Sequence, residues 1–139
     1  MTALTIRCAM ALMVMAAPAS AAELTVVLTG ATATAPVRAM VFNDAEAFSS
    51  RARPVAAMVL TPQDGRARVT LGELPPGAYA VAAFQDVNGN QQLDTNWLGI
   101  PTEPTGFSRA NGSTASSPDF REAAVQVPAA GATVSIPLQ

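Results

Sequence analysis

The feature that most constrains this chain is its punctuation: short strand-length runs, repeatedly closed by glycine or proline, with no sustained helical periodicity among them. Leu24–Thr29 is rich in β-branched residues and stops at Gly30, which predicts a first strand. Val37–Phe42 puts Val37, Ala39 and Val41 on one face and Arg38, Met40 and Phe42 on the other, a second strand. Asn43–Ser50 has room for one helical turn, at Asp44-Ala45-Glu46-Ala47-Phe48. Val55–Leu60 is a third strand, followed by a turn at Pro62-Gln63-Asp64-Gly65. Arg66–Leu71 alternates cleanly, with Ala67, Val69 and Leu71 inward and Arg66, Arg68 and Thr70 outward. After the turn Leu74-Pro75-Pro76-Gly77 comes the strongly apolar strand Ala78–Gln85, and two more strands are predicted at Phe120–Val127 and Thr133–Leu138.

Seven such strands and no convincing long helix predict an all-β chain, a seven-stranded antiparallel Greek-key β-sandwich with one long ordered loop. Tyr79, at the head of the apolar strand, is either a tyrosine corner with its hydroxyl on nearby backbone or an ordinary half-buried tyrosine.

The N-terminus has a different character. Met1–Arg7 carries one positive side chain, Cys8–Ala17 is apolar, and Pro18-Ala19-Ser20-Ala21 offers an Ala-x-Ala cleavage site. These are the three parts of a secretory signal peptide, and they predict residues 1–21 as the signal and 22–139 as the domain. The apolar run is too short to span a bilayer, so no membrane span is expected after cleavage. The address implied is periplasmic or secreted. Maturation would remove Cys8, the one cysteine, leaving a domain without thiol or disulfide in an oxidising compartment.

Composition narrows the function classes. The sequence has no His and no Lys, and without Arg7 its charge is seven Arg against ten acids, or −3. That balance lacks the basic footprint of a nucleic-acid binder. Ser-His-Asp, Cys-His and Ser-Lys catalysis and the usual zinc sites all need residues that are missing.

One segment is rich in ligating oxygen. Asp86-Val87-Asn88-Gly89-Asn90-Gln91-Gln92-Leu93-Asp94 sets oxygen side chains at loop positions 1, 3, 5 and 9, the spacing of a calcium loop. The Gln92 carbonyl takes the position-7 role, and Glu103 supplies a further carboxylate if the loop folds back. The expected metal set is therefore Asp86, Asn88, Asn90, Gln92, Asp94 and Glu103, holding calcium as a structural ion. Two departures from the EF-hand pattern stand out: Gln91 replaces glycine where a left-handed backbone is needed, and Trp97 replaces the bidentate Glu. The alternative is an Asx-rich turn in which the same side chains cap backbone without metal.

The motifs Leu74-Pro75-Pro76-Gly77-Ala78-Tyr79-Ala80-Val81, Phe84-Gln85-Asp86-Val87-Asn88-Gly89-Asn90, Leu93-Asp94-Thr95-Asn96, Gly99-Ile100-Pro101-Thr102-Glu103-Pro104, Gly106-Phe107-Ser108 and Phe120-Arg121-Glu122-Ala123 carry a resemblance. Through them the chain resembles an uncharacterised bacterial secreted family, domain of unknown function 2141. The family's loop usually has glycine where Gln91 stands. The resemblance implies a sandwich similar to transthyretin (prealbumin)-like and carboxypeptidase regulatory domains and an envelope or secreted location, and it implies no established activity.

The expected function is thus a small non-catalytic module. Its 86–118 loop would contact a protein, peptide or carbohydrate through Trp97, Phe107 and Arg109, unless Trp97 and Phe107 fold down onto the core. A second class is a structural envelope protein acting through its edge strands. A third, more remote, is a glycoside-acting enzyme using two of Asp86, Asp94, Glu103, Asp119 and Glu122.

Overall fold

A computed structural model describes residues 21–32, 34–109 and 117–139. The expected signal peptide up to residue 20, with Cys8, and part of the 86–118 loop lie outside the described residues. The chain order is β1 (Ala22–Thr29), β2 (Val37–Phe42), α1 (Ala45–Ser50), β3 (Ala56–Leu60), β4 (Arg66–Leu74), β5 (Gly77–Gln85), β6 (Thr105–Phe107), α2 (Phe120–Ala123), β7 (Val125–Val127) and β8 (Ala132–Pro137). No helix among the described residues is long and apolar enough to cross a membrane.

These strands form two sheets. The first is β4-β1-β8; the second runs β3-β2-β5-β6, with β7 also pairing β5. Inward positions follow the predicted alternation. Leu24, Val26 and Leu28 of β1 meet Val37, Ala39 and Val41 of β2 and Tyr79, Val81 and Ala83 of β5 in one apolar core. Gly106 marks where the sheets close on each other: a Cβ there would lie 2.6 Å from both Ile136 Cγ2 and the Pro137 carbonyl oxygen. The Tyr79 hydroxyl donates to the Pro75 carbonyl at 2.6 Å, a tyrosine corner that pins the start of β5.

Three expectations are corrected. The sheets are not wholly antiparallel, because β1 pairs parallel with β8, Val26 opposite Val134. The first and last strands belong to one sheet, and the many intervening residues leave room for the crossover that a parallel pair requires. The strand predicted at Phe120–Val127 is instead α2 followed by the three-residue β7. Asp119 accepts from the Glu122 amide and the Glu122 carboxylate accepts from the Asp119 amide, a capping box that favours a helical start. Finally, among the described residues eight strands replace seven, because Thr105–Phe107 inside the long loop pairs with Ala82–Phe84 of β5.

The second sheet has a further layer outside it. Phe42 and Ala80 on its outer face pack with Ala47, Phe48 and Ala123, and with the half-buried Phe107 and Phe120. Phe48 sits at the centre, making edge-to-face contacts with Phe42, Phe107 and Phe120 at centroid separations of 5.6–6.2 Å. The helix α1 that carries it is capped by Asp44, whose Oδ1 accepts from the Ala47 amide at 2.8 Å. Ser108, fully buried, ties this layer to the sheet by donating to the Ala123 carbonyl and accepting from the Val81 amide.

Candidate functional site

The oxygen-rich loop leaves the end of β5 and returns at β6. Backbone bonds staple its base: the Gln85 amide donates to the Pro104 carbonyl and the Asp86 amide to the Pro36 carbonyl, both at 2.9 Å. Gln85 itself is fully buried and holds the neighbouring chain at Thr32 and Ala35, accepting from the Thr32 amide and donating to the Thr32 and Ala35 carbonyls. A glutamine at the end of an apolar strand was the sequence signal for this role.

Two buried carboxylates organise the loop from below. Asp86 is 1% exposed; its Oδ2 accepts from the Arg38 Nε at 3.2 Å and from the Gln91 amide at 3.0 Å. Its Oδ1 is buried and has no hydrogen-bond partner. Glu103 is 7% exposed and bridges the loop, Oε1 accepting from the Val87 amide at 2.8 Å and Oε2 from the Asp94 amide at 3.2 Å. The fold-back that brings Glu103 under the loop is held by the Thr102 amide on the Asp94 carbonyl and by a bridge between Thr95 and Pro101.

The remaining oxygen residues close on one another above. Asn88 Nδ2 donates to Asp94 Oδ2 at 2.5 Å, and Asn90 Nδ2 to both Asp94 oxygens at 3.0 and 2.9 Å. Asn88 Oδ1 accepts from the Asn90 amide and Asn90 Oδ1 from the Gln92 amide, two successive Asx turns. Gln91 takes the left-handed conformation that the spacing demands, at φ 67°, despite its Cβ. The structure thus brings Asp86, Asn88, Asn90, Asp94 and Glu103 into one loop and uses the Gln92 amide to close it. Among the described residues no group of three or more His, Cys, Asp or Glu side chains gathers as a metal cluster. An ion in this loop would accordingly draw on amide and backbone oxygens as well as carboxylates.

The expected contact residues part company. Trp97 is 88% exposed at the tip, where the Asn96 side chain accepts from the Leu98 and Ile100 amides and holds a tight turn. Its neighbours Leu98 and Ile100 are exposed as well. The expectation that Trp97 folds onto the core is therefore corrected: this five-residue turn points its side chain outward. Phe107 does pack down, against Phe48. Arg109 donates to the Ala124 carbonyl at 3.0 Å and so has a bracing role. Of the carboxylates available to a glycoside-acting pair, Asp119 and Glu122 are already engaged in their mutual cap.

Sequence reasoning missed Arg38 as a partner of Asp86, although alternation along β2 had placed it on the outer face beside Met40. It also missed Arg51, whose guanidinium lies over the Phe48 and Phe107 rings.

No curated protein and no solved structure matches the chain. A family model described as an uncharacterised protein conserved in bacteria, DUF2141, matches residues 26–135, from within β1 to within β8. The chain belongs to this bacterial family.

Proposed function

We propose that this protein is an exported, non-catalytic β-sandwich module whose 86–103 loop is clamped by a structural calcium ion and presents its Trp97 tip to a partner outside the cytoplasm. The observation that carries the reading is Asp86 Oδ1, a buried carboxylate oxygen without a partner, on the side chain that already organises the loop. Leaving a charged acceptor buried and unsatisfied is costly, and a cation supplied by the compartment would relieve it. Glu103 and Asp94 add carboxylate oxygen to the same loop, and Asn88 and Asn90 add amide oxygen. Calcium would displace the two asparagine amides that Asp94 now accepts, so ion contacts replace existing hydrogen bonds and the affinity falls in the weak, extracellular class.

Export rests on the three-part N-terminus, and the non-catalytic reading on the lack of His and Lys throughout the sequence. The family resemblance extends the proposal to a Greek-key, transthyretin-like sandwich. The apolar, exposed run Trp97-Leu98 with Ile100 supports a contact role for the tip. Edge-strand association is favoured by one observation of its own: β3 is an edge strand with Val59 exposed and no Lys or Pro within it.

A melting curve tests the ion. At tenfold excess over its dissociation constant calcium adds about 1.4 kcal/mol, roughly a 5 °C rise in Tm for a domain of this size. Asp86→Asn should abolish the rise. No shift at millimolar calcium would sink the calcium reading.

A further inference from the structure

The outer face of the second sheet is only half covered by α1 and α2. Beside them lies a cavity of about 500 Å³, within the usual range for small-molecule sites. Met40, Ala57, Val59 and Phe84 line the sheet side, with Leu93 of the loop and Phe107 also on the lining. The Met40 thioether, on the outer face, adapts to irregular apolar ligands.

Two cations border this apolar surface, and they differ. Arg38 has its charge answered by Asp86. Arg51 ends α1 in the left-handed region at φ 53°, and its guanidinium lies 4.2 Å from the Phe48 ring centroid and 5.1 Å from that of Phe107. It makes one side-chain hydrogen bond, to the Phe48 carbonyl. Burial pushes its pKa below the ordinary value, yet an arginine of this kind stays charged. Among the described residues the ion pairs are Arg38–Asp86 and Arg53–Glu46, and neither reaches Arg51. The segments outside the described residues contain no Asp or Glu at all. A half-desolvated, aromatic-stacked guanidinium on an apolar cavity thus has no acidic side chain in this chain to answer it.

We propose that the cavity binds a single-chain amphiphile with a carboxylate head, the head on Arg51 and the apolar chain along Met40 and Phe84. The planar guanidinium fork matches a carboxylate, and its contact with the Phe48 and Phe107 rings restrains the fork before the ligand arrives. The polar and apolar parts of such a ligand both find a counterpart here, which neither a free inorganic anion nor a neutral hydrocarbon would.

Isothermal titration of the full chain, in calcium-free buffer, compares three ligands of one chain length: decanoate, decanol and decyltrimethylammonium. Decanoate should bind saturably and at least about tenfold more tightly than either. Arg51→Gln should remove that advantage while leaving weak decanol binding. Because Arg51 also packs on Phe48, a second variant guards against misfolding: Ala57→Trp, at an exposed position of β3, should fill the cavity and abolish decanoate binding with Tm retained. Equal affinity for the three ligands overturns the proposal, as does decanoate binding that survives Ala57→Trp or an absence of saturable heat. The calcium-free condition keeps this outcome separate from that of the loop.

Discussion

The two sheets share one core but differ on their outer faces. Outside the first sheet stand Arg66, Arg68 and Thr70 of β4 and Thr133 and Ser135 of β8, all exposed. Outside the second stand Met40 and Phe42 of β2 and Ala80, Ala82 and Phe84 of β5, buried or half-buried. A sheet with one polar face needs only one partner layer, whereas a sheet apolar on both faces must find a second. Here the second layer is assembled from two short helices, joined by the Phe107 side chain that β6 sends out from the sheet. It covers the end of the sheet at Phe42 and Ala80 and leaves the end at Arg38 and Phe84 as a cavity. The difference locates where this fold has spare apolar surface to use.

The sharpest way to break the comparison is at the centre of the outer layer. Phe48→Ala removes the ring that touches Phe42, Phe107 and Phe120, and a buried Phe→Ala change costs about 3–5 kcal/mol. Urea denaturation should show a correspondingly lower midpoint. A loss below about 1 kcal/mol would mean that the helices merely rest on the sheet. A smaller effect tests the sheet beneath them. Ala82 is 4% exposed, and Ala82→Ser places a hydroxyl in the apolar layer, at a cost of about 1–3 kcal/mol if it finds no partner. The measurement is the same, and a neutral result would show that solvent reaches that surface.

This contrast was partly legible in the sequence. Arg66–Leu71 alternates and its polar face is where the alternation predicts; Ala78–Phe84 does not alternate, and β5 is buried through both faces. The bounds of β2, those of β5 to within a residue, and a helical turn near Asp44–Phe48 followed from local signals. At Tyr79 those signals left a corner and an ordinary half-buried tyrosine both open until the bond to Pro75 decided it. The parallel pairing of β1 with β8 was not legible, because periodicity fixes which face a residue takes and says nothing of which strand lies alongside. The three residues of β6 are too few to show a period; the edge of β5 selects them. The capping box at Asp119–Glu122 was legible by its spacing, and the apolar run around it obscured it. At the loop, the oxygen spacing located the side chains that converge. It did not reveal that Asp86 and Glu103 are buried beneath the loop, since burial of a carboxylate depends on Arg38 and on backbone amides supplied by tertiary structure.

The smallest expected effect is the one that sharpens the comparison most. Arg68 of β4 lies outside the first sheet, opposite Val27 of β1, and is exposed. A stem of arginine's length on the same face can cover part of the half-buried Val27, and its charged end has no ion-pair partner among the described residues. Arg68→Thr keeps strand propensity and polarity while giving up that partial shielding, so its cost should stay within about 0.5 kcal/mol in urea denaturation. Set beside Ala82→Ser, a far smaller chemical change, it asks whether tolerance depends on the sheet. If Arg68→Thr instead cost more than about 1 kcal/mol, the outer face of the first sheet would be doing more than meeting solvent. Self-association through that face would then be the first thing to measure, by the concentration dependence of Tm, because an interface is what turns an exposed cross-strand pair into a buried one.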